Sequence, residues 1–175
     1  IVTDPTNKFI GAYSCILAGK YNTTNGTYSG IVGGTYNSIG IASYYSIIVG
    51  GTNNTASLYG SSVTGGNNNT ASDLYSSVVG GTNNIASSWD SNVSGGIHNT
   101  ASGWYSHVAG GTHNTASGIS SSVVGGAANK ALAENSAIVG GNWNETTNTY
   151  EFASGKFNKS TQSSYTYLAT GFSIG

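Results

Sequence analysis

Ser61-Ser-Val-Thr-Gly-Gly-Asn-Asn-Asn-Thr-Ala-Ser72 is followed, three residues later, by Ser76-Ser-Val-Val-Gly-Gly-Thr-Asn-Asn-Ile-Ala-Ser87. The pattern returns as Ser91-Asn-Val-Ser-Gly-Gly-Ile-His-Asn-Thr-Ala-Ser102 and Ser106-His-Val-Ala-Gly-Gly-Thr-His-Asn-Thr-Ala-Ser117, and then as Ser121-Ser-Val-Val-Gly-Gly-Ala-Ala-Asn-Lys-Ala131. The run from Ser61 to Ala137 is an internal repeat of 15 residues. A fixed period of this kind marks equivalent units stacked along one axis.

The second glycine of each pair is a convenient zero. It recurs at Gly19, Gly34, Gly51, Gly66, Gly81, Gly96, Gly111, Gly126, Gly141, Gly155 and Gly171, so the repeat extends well beyond its clean middle. The steps are 15 and 17, then 15 six times, then 14 and 16. The longer early step holds an insertion around Ile39-Gly40, and Ser154 and Thr170 replace the first glycine in the last two units. The organisation expected is a lead-in or coil end over 1–12, about ten coils over 13–171, and a truncated unit over 172–175. Starting at Ile1 without a visible leader, the chain reads as a fragment or processed product of something longer.

Three columns carry the physics. Three residues before the mark every unit has an apolar side chain: Ile16, Ile31, Ile48, Val63, Val78, Val93, Val108, Val123, Ile138, Phe152 and Leu168. Three after it stands asparagine in ten units, among them Asn69, Asn84, Asn99, Asn114 and Asn129, and five before it stands serine in nine. Side chains alternate along a strand, so Ser, Val and the first Gly are expected to share the inward face, with the residues at minus four and minus two facing out. The glycine pair supplies a turn, and a second short strand turns Ala56, Ala71, Ala86, Ala101, Ala116 and Ala131 inward. Two strands and two turns per 15 residues predict an all-β parallel β-solenoid. Stacked Asn amides at a corner are expected to bond one another as a ladder.

At minus two stand Leu17, Val32, Val49, Val79, Val124 and Val139, with small or polar residues between. This apolar column points away from a thin interior and needs cover. Identical chains offer matching columns at matching heights, which predicts a homo-oligomer, a closed parallel trimer above others.

Bulk composition agrees. Only 6% of residues are charged, against roughly 25% in an ordinary soluble domain. The 27 glycines, 12 tyrosines and absent methionine suit short strands and turns rather than amphipathic helices. With five basic residues and a net charge of -1, nucleic acid is not an expected partner. No apolar run approaches a membrane span, so no membrane insertion by this segment is expected. A lone Cys15 forms no internal disulfide.

The repeat Ser-x-Val-x-Gly-Gly-x-x-Asn-Thr-Ala-Ser resembles the head repeats of YadA-type trimeric autotransporter adhesins and related repeats of phage and viral tail fibres. The likeness spans nearly the whole chain, with a unit one residue longer than the family's usual head repeat. It implies a left-handed β-roll of three chains about one axis, extracellular, on a cell or virion surface. Handedness and trimeric state rest on that resemblance; the stacked strands and the need for a partner surface rest on the residues.

Chemistry-bearing residues are sparse. Asp4, Asp73, Asp90, Glu134, Glu145 and Glu151 are scattered and out of register, and the serines form columns, so neither enzymatic activity nor a cofactor is expected. His98 and His113 share one repeat position a coil apart, a weak metal candidate whose plainer reading is a pair of solvated turn residues. Before each first strand comes an aromatic stripe including Tyr44, Tyr59, Tyr75, Trp89, Trp104 and Tyr105, with Tyr13, Tyr28, Tyr45 and Tyr165. Such rings either fill the seam between chains or meet a host-surface glycan or protein receptor. Sequons at outward positions make Asn53, Asn68 and Asn92 candidates for N-glycosylation. The threonine column Thr55, Thr70, Thr100, Thr115 gives ice binding as a minor alternative, interrupted by Ile85 and Lys130. The expected function is a structural fibre or adhesin module for extension and attachment, with a purely structural or glycan-binding phage or viral shaft as the alternative.

Overall fold

The computed structural model describes residues 4–159 together with the backbone of 167–169. The chain is an all-β parallel β-solenoid. Most strands are two residues long and alternate between two parallel sheets, one of ten strands running from Lys8–Phe9 to Glu145–Thr146, the other of eleven from Cys15–Ile16 to Tyr167–Ala169. Pairing is in register at the repeat period: Val78 sits against Val63 and Val93, and Ala86 against Ala71 and Ala101. Each coil donates backbone hydrogen bonds to the next, Ser77 N–H to Ser91 C=O at 2.9 Å and Val79 N–H to Val93 C=O at 3.0 Å. At about 4.8 Å per coil, ten coils make a rod of roughly 50 Å.

Positive φ angles make the strands short. Three places per coil turn left-handed: six before the mark (five, at Tyr150, in the shortened coil) and two after it, where non-glycine residues adopt φ of 53–62°, and the mark itself, at 87–104°. The chain bends at each and reverses after every pair of extended residues. The interior lies between the sheets. Val63, Val78, Val93, Val108, Val123 and Ile138 are wholly buried from one side, and Ala56 through Ala131 from the other. Ile39, Thr24 and Thr146 fill the alanine column where the clean repeat fails.

The two glycines of the pair play different parts. A Cβ on Gly81 would meet the Gly96 carbonyl oxygen at 2.2 Å, so the mark must be glycine for both its φ and the coil above. The first glycine is not inward-facing as the alternation predicted. A Cβ on Gly65, Gly80, Gly95, Gly110 or Gly125 meets nothing within 4 Å, because the chain has already left the extended conformation there. This freedom accounts for Ala18 and Ser154 at the same place.

The asparagine ladder is built otherwise than expected. Asn99 Oδ1 accepts the backbone N–H of Asn114 at 3.0 Å, while its Nδ2 donates to the carbonyls of Gly95 and Gly111, both at 2.9 Å. Asn69, Asn84, Asn114 and Asn129 repeat these bonds. The amides bond backbone, not one another: each gives the first-glycine carbonyl a donor, and it adds a second donor to the carbonyl of the next mark, which already accepts a backbone N–H, Ile97 to Gly111 at 2.9 Å. Within this buried column, among the described residues, amides bond one another in the irregular coils, from Asn144 to Asn129 at 3.0 Å and from Asn158 to Asn144 at 2.8 Å.

Phe152 is a second correction. Counting from the glycine predicts Phe152 inward, yet it is partly exposed and pairs with Ala137, and Ala153 takes the interior place against Ile138. The shortened step is absorbed after the interior position: Ile138 pairs with Ala153 but Gly140 with Ser154, a bulge that leaves outward Val139 without a counterpart. Losing an outward residue leaves the core column continuous; losing the inward one would open a void. The same shift sets Glu151 in the serine column, buried, its Oε2 accepting the N–H groups of Thr147 at 2.8 Å and Asn148 at 3.0 Å. Of the remaining sequence expectations, Leu168's side chain, Tyr165 and the unit at 172–175 lie outside the described residues.

Candidate functional site

Serine builds the corner that carries the aromatic stripe. Ser91 Oγ donates to Ser88 C=O at 2.7 Å and accepts the Ser88 N–H at 3.1 Å, closing a small turn around Trp89 and Asp90. The left-handed residue six before the mark and its predecessor are thereby held out of the coil. Ser76 makes the same two bonds with Asp73, and along this corner the rings stand in file. Tyr13 and Tyr28 stack at 4.9 Å with planes 4° apart, and Tyr28 and Tyr45 at 5.4 Å and 7°.

Further along, the file changes to edge-on contacts. Tyr45 and Tyr59, then Tyr59 and Tyr75, meet at 5.5 and 5.4 Å, each pair inclined by 71°. Tyr44 joins at 6.4 Å from Tyr59. Gly60 makes room: the Tyr75 ring lies where a Cβ on that residue would sit, at 2.7 Å. Trp89 then meets Trp104 at 6.0 Å and Tyr105 at 5.7 Å. The rings lie along one corner in two contacting runs, Tyr13 to Tyr75 and Trp89 to Tyr105. They remain open in the single chain, Trp104 being 54% exposed. Beside Trp104 a hollow of about 260 Å³ is floored by Gly103 and flanked by Ser88, Ser102, Ser117 and Ile119. The hollow's lining is neutral, with one indole and three serine hydroxyls, and Asp90 stands on the same corner beside Trp89.

A second aromatic column went unread in the sequence. Two residues after the mark, at the opposite corner, stand Tyr21, Tyr36, Asn53, Asn68, Asn83, His98, His113, Ala128, Trp143 and Phe157, all at positive φ. Tyr21 and Tyr36 stack at 4.8 Å, His98 and His113 at 4.9 Å. The signal was available once the residue before each column Asn was aligned, but its mixed chemistry concealed it. The histidine pair belongs to this file, with Asn83 Nδ2 3.4 Å from His98 Nε2. His107 lies elsewhere and meets Ser94 Oγ at 3.2 Å. Among the described residues no three His, Cys, Asp or Glu side chains converge.

Asn53 and Asn68 stand exposed in the same file, and Asn68 Nδ2 donates to Asn83 Oδ1. Asn92 is half-buried on the outward face of its strand, accepting from Ser94 Oγ at 3.3 Å. Thr55, Thr70, Thr100 and Thr115 form a half-buried ladder just beyond the buried Asn. Across the eleven-stranded sheet the outward column is open: Val79 is 48% and Val124 53% exposed. A comparison with known protein families finds none that matches the chain, and a comparison with curated proteins finds no matching relative.

Proposed function

We propose that this chain is a non-enzymatic structural module: a rod that assembles as a parallel homotrimer and serves extension and attachment at a cell or virion surface, in the manner of YadA-type heads and fibre shafts. The observation that carries the reading is the exposed apolar column of the eleven-stranded sheet, from Leu17 through Val32, Val49 and Val79 to Val124 and Val139. Thr64, Ser94 and Ala109 interrupt the column, yet monomers seldom leave a recurring file of open apolar side chains along one face. A symmetric assembly covers it without any new sequence, since every coil repeats the same surface at the same height. The near absence of charge beside it removes the repulsion that would keep copies apart.

Sedimentation of the purified chain at micromolar concentration tests this, with Val79→Lys/Val124→Lys as the matched control. A trimer that the double variant dissociates, with its β circular dichroism retained, is the expected result; a wild-type monomer removes the assembly. A second role, attachment through a glycan or protein receptor, is favoured by the open rings and hollow around Trp104. Binding of the wild-type rod on a glycan array or to cells, lost on Trp104→Ala, is its test, and absence of any binding leaves the rod a spacer.

A further inference from the structure

In the file of residues two after the mark, the three coils of Asn53, Asn68 and Asn83 carry no ring, and further on a single ringless coil stands between two rings. Between His113 and Trp143 the coil carries Ala128, in the same left-handed conformation (φ 54°) as the Tyr, His and Trp of its neighbours. In the file's two stacked pairs, Tyr21 with Tyr36 and His98 with His113, the ring centres lie 4.8 and 4.9 Å apart. With one ring missing, the flanking positions are separated by twice the strand spacing, about 9.6 Å. The result is a hollow of about 570 Å³, walled by His113 and Trp143, floored by Ala127 and Ala128 and edged by Thr112 and Lys130. Trp143 is 62% exposed, so its face is free to meet a ligand.

Width and rim decide what fits. A flat aromatic ring at carbon contact distance on both faces fills about 7–8 Å and leaves slack. A puckered sugar ring, with axial hydrogens on both faces, is thicker and matches the gap. The lining is mostly apolar with few polar groups at the edge, as in sites that hold a ring by its faces and orient it by its substituents. The charge at the rim is positive. Glu145, opposite Lys130 in the ladder, is taken by Lys159 at 2.8 Å, which leaves the Lys130 ammonium as the group facing a ligand. We infer that the slot over Ala128 binds a pyranose unit of an acidic saccharide, its faces against His113 and Trp143 and its carboxylate toward Lys130. This deepens the attachment role proposed above by naming a site and a ligand class on the corner opposite the Trp104 edge.

The decisive variant is Ala128→Tyr. It fills the slot with the ring that the file carries at Tyr36, where the backbone accepts tyrosine at φ 58°. Titration calorimetry and saturation-transfer NMR on the full chain would compare a hyaluronan tetrasaccharide, cellotetraose and benzoate. Saturable binding of the acidic tetrasaccharide, weakened about tenfold or more by Ala128→Tyr and by Trp143→Ala but unaffected by Trp104→Ala, is expected. Lys130→Gln should abolish the preference for the acidic over the neutral tetrasaccharide. Equal binding by Ala128→Tyr, binding of benzoate alone, or no saturable binding of any probe overturns the proposal. Retention of the acidic preference in Lys130→Gln overturns the role of that lysine. None of these variants touches the outward valine column, so sedimentation judges the assembly independently of the slot.

Discussion

At Gly81 a single methyl group separates tolerance from failure. It would sit 2.2 Å from the Gly96 oxygen at a φ of 88°, while the same methyl on Gly80 projects into open space. Gly81→Ala should therefore lose about 3 kcal/mol or more, from strain and from forcing two coils apart. Gly80→Ala should be neutral or add about 0.5 kcal/mol by restricting the unfolded chain. Chemical denaturation of the two variants side by side checks the contrast, and equal losses would refute the division of labour within the pair. Asn99→Ala belongs to the same scale. It strips the buried Asn114 N–H and the Gly95 carbonyl of their partner, while the Gly111 carbonyl keeps the Ile97 N–H; an orphaned group costs about 1–3 kcal/mol, so a loss of about 2 kcal/mol or more is expected. Asn99→Asp should do no better, since a carboxylate lacks the donor that the Gly95 carbonyl needs and sets its charge against both glycine carbonyls.

Between neighbouring elements the controlling rule is continuity of the interior column. Val93 lies between Val78 and Val108 with no route to water, and Val93→Asp should cost several kcal/mol and lower the melting temperature sharply. Glu151→Ala acts differently: it frees the Thr147 and Asn148 amides and should loosen the coil around it by about 2 kcal/mol. Hydrogen exchange should show that loss near residues 145–153 while the coils around Val63 stay protected, since repeat stacks unfold locally. What the sequence made legible follows from where each constraint resides. Val, Ala and the second glycine were readable because one side chain, or its absence, answers a constraint repeated in every coil. The partner of the asparagine amide was not, since it is backbone, which sequence leaves unwritten. The Phe152 to Ala153 shift was hidden because a missing residue can be assigned to several places, and only continuity of the core selects the outward one. The slot at Ala128 was hidden because a binding gap there is an ordinary alanine, visible only against its neighbours' rings.

For the whole molecule, the outward column and the thinness of the interior pull in one direction. Each coil encloses one Val or Ile and one Ala between its sheets, and at two places turns apolar or aromatic surface to the outside. A rod of this kind gains stability from length and from neighbours rather than from a large core. If three chains cover the open faces of their eleven-stranded sheets and separate on unfolding, folded stability must depend on concentration. Each tenfold increase in chain concentration then adds about 0.9 kcal/mol per chain, two-thirds of the tenfold increment in binding free energy. For a chain of this size that is a rise of roughly 2–4 °C in melting temperature. Melting curves from micromolar to hundred-micromolar chain should shift upward in these steps, and the shift should vanish in Val79→Lys/Val124→Lys. A wild-type melting temperature independent of concentration would mean that unfolding does not separate chains, and the valine column would need an occupant other than a second copy of this rod.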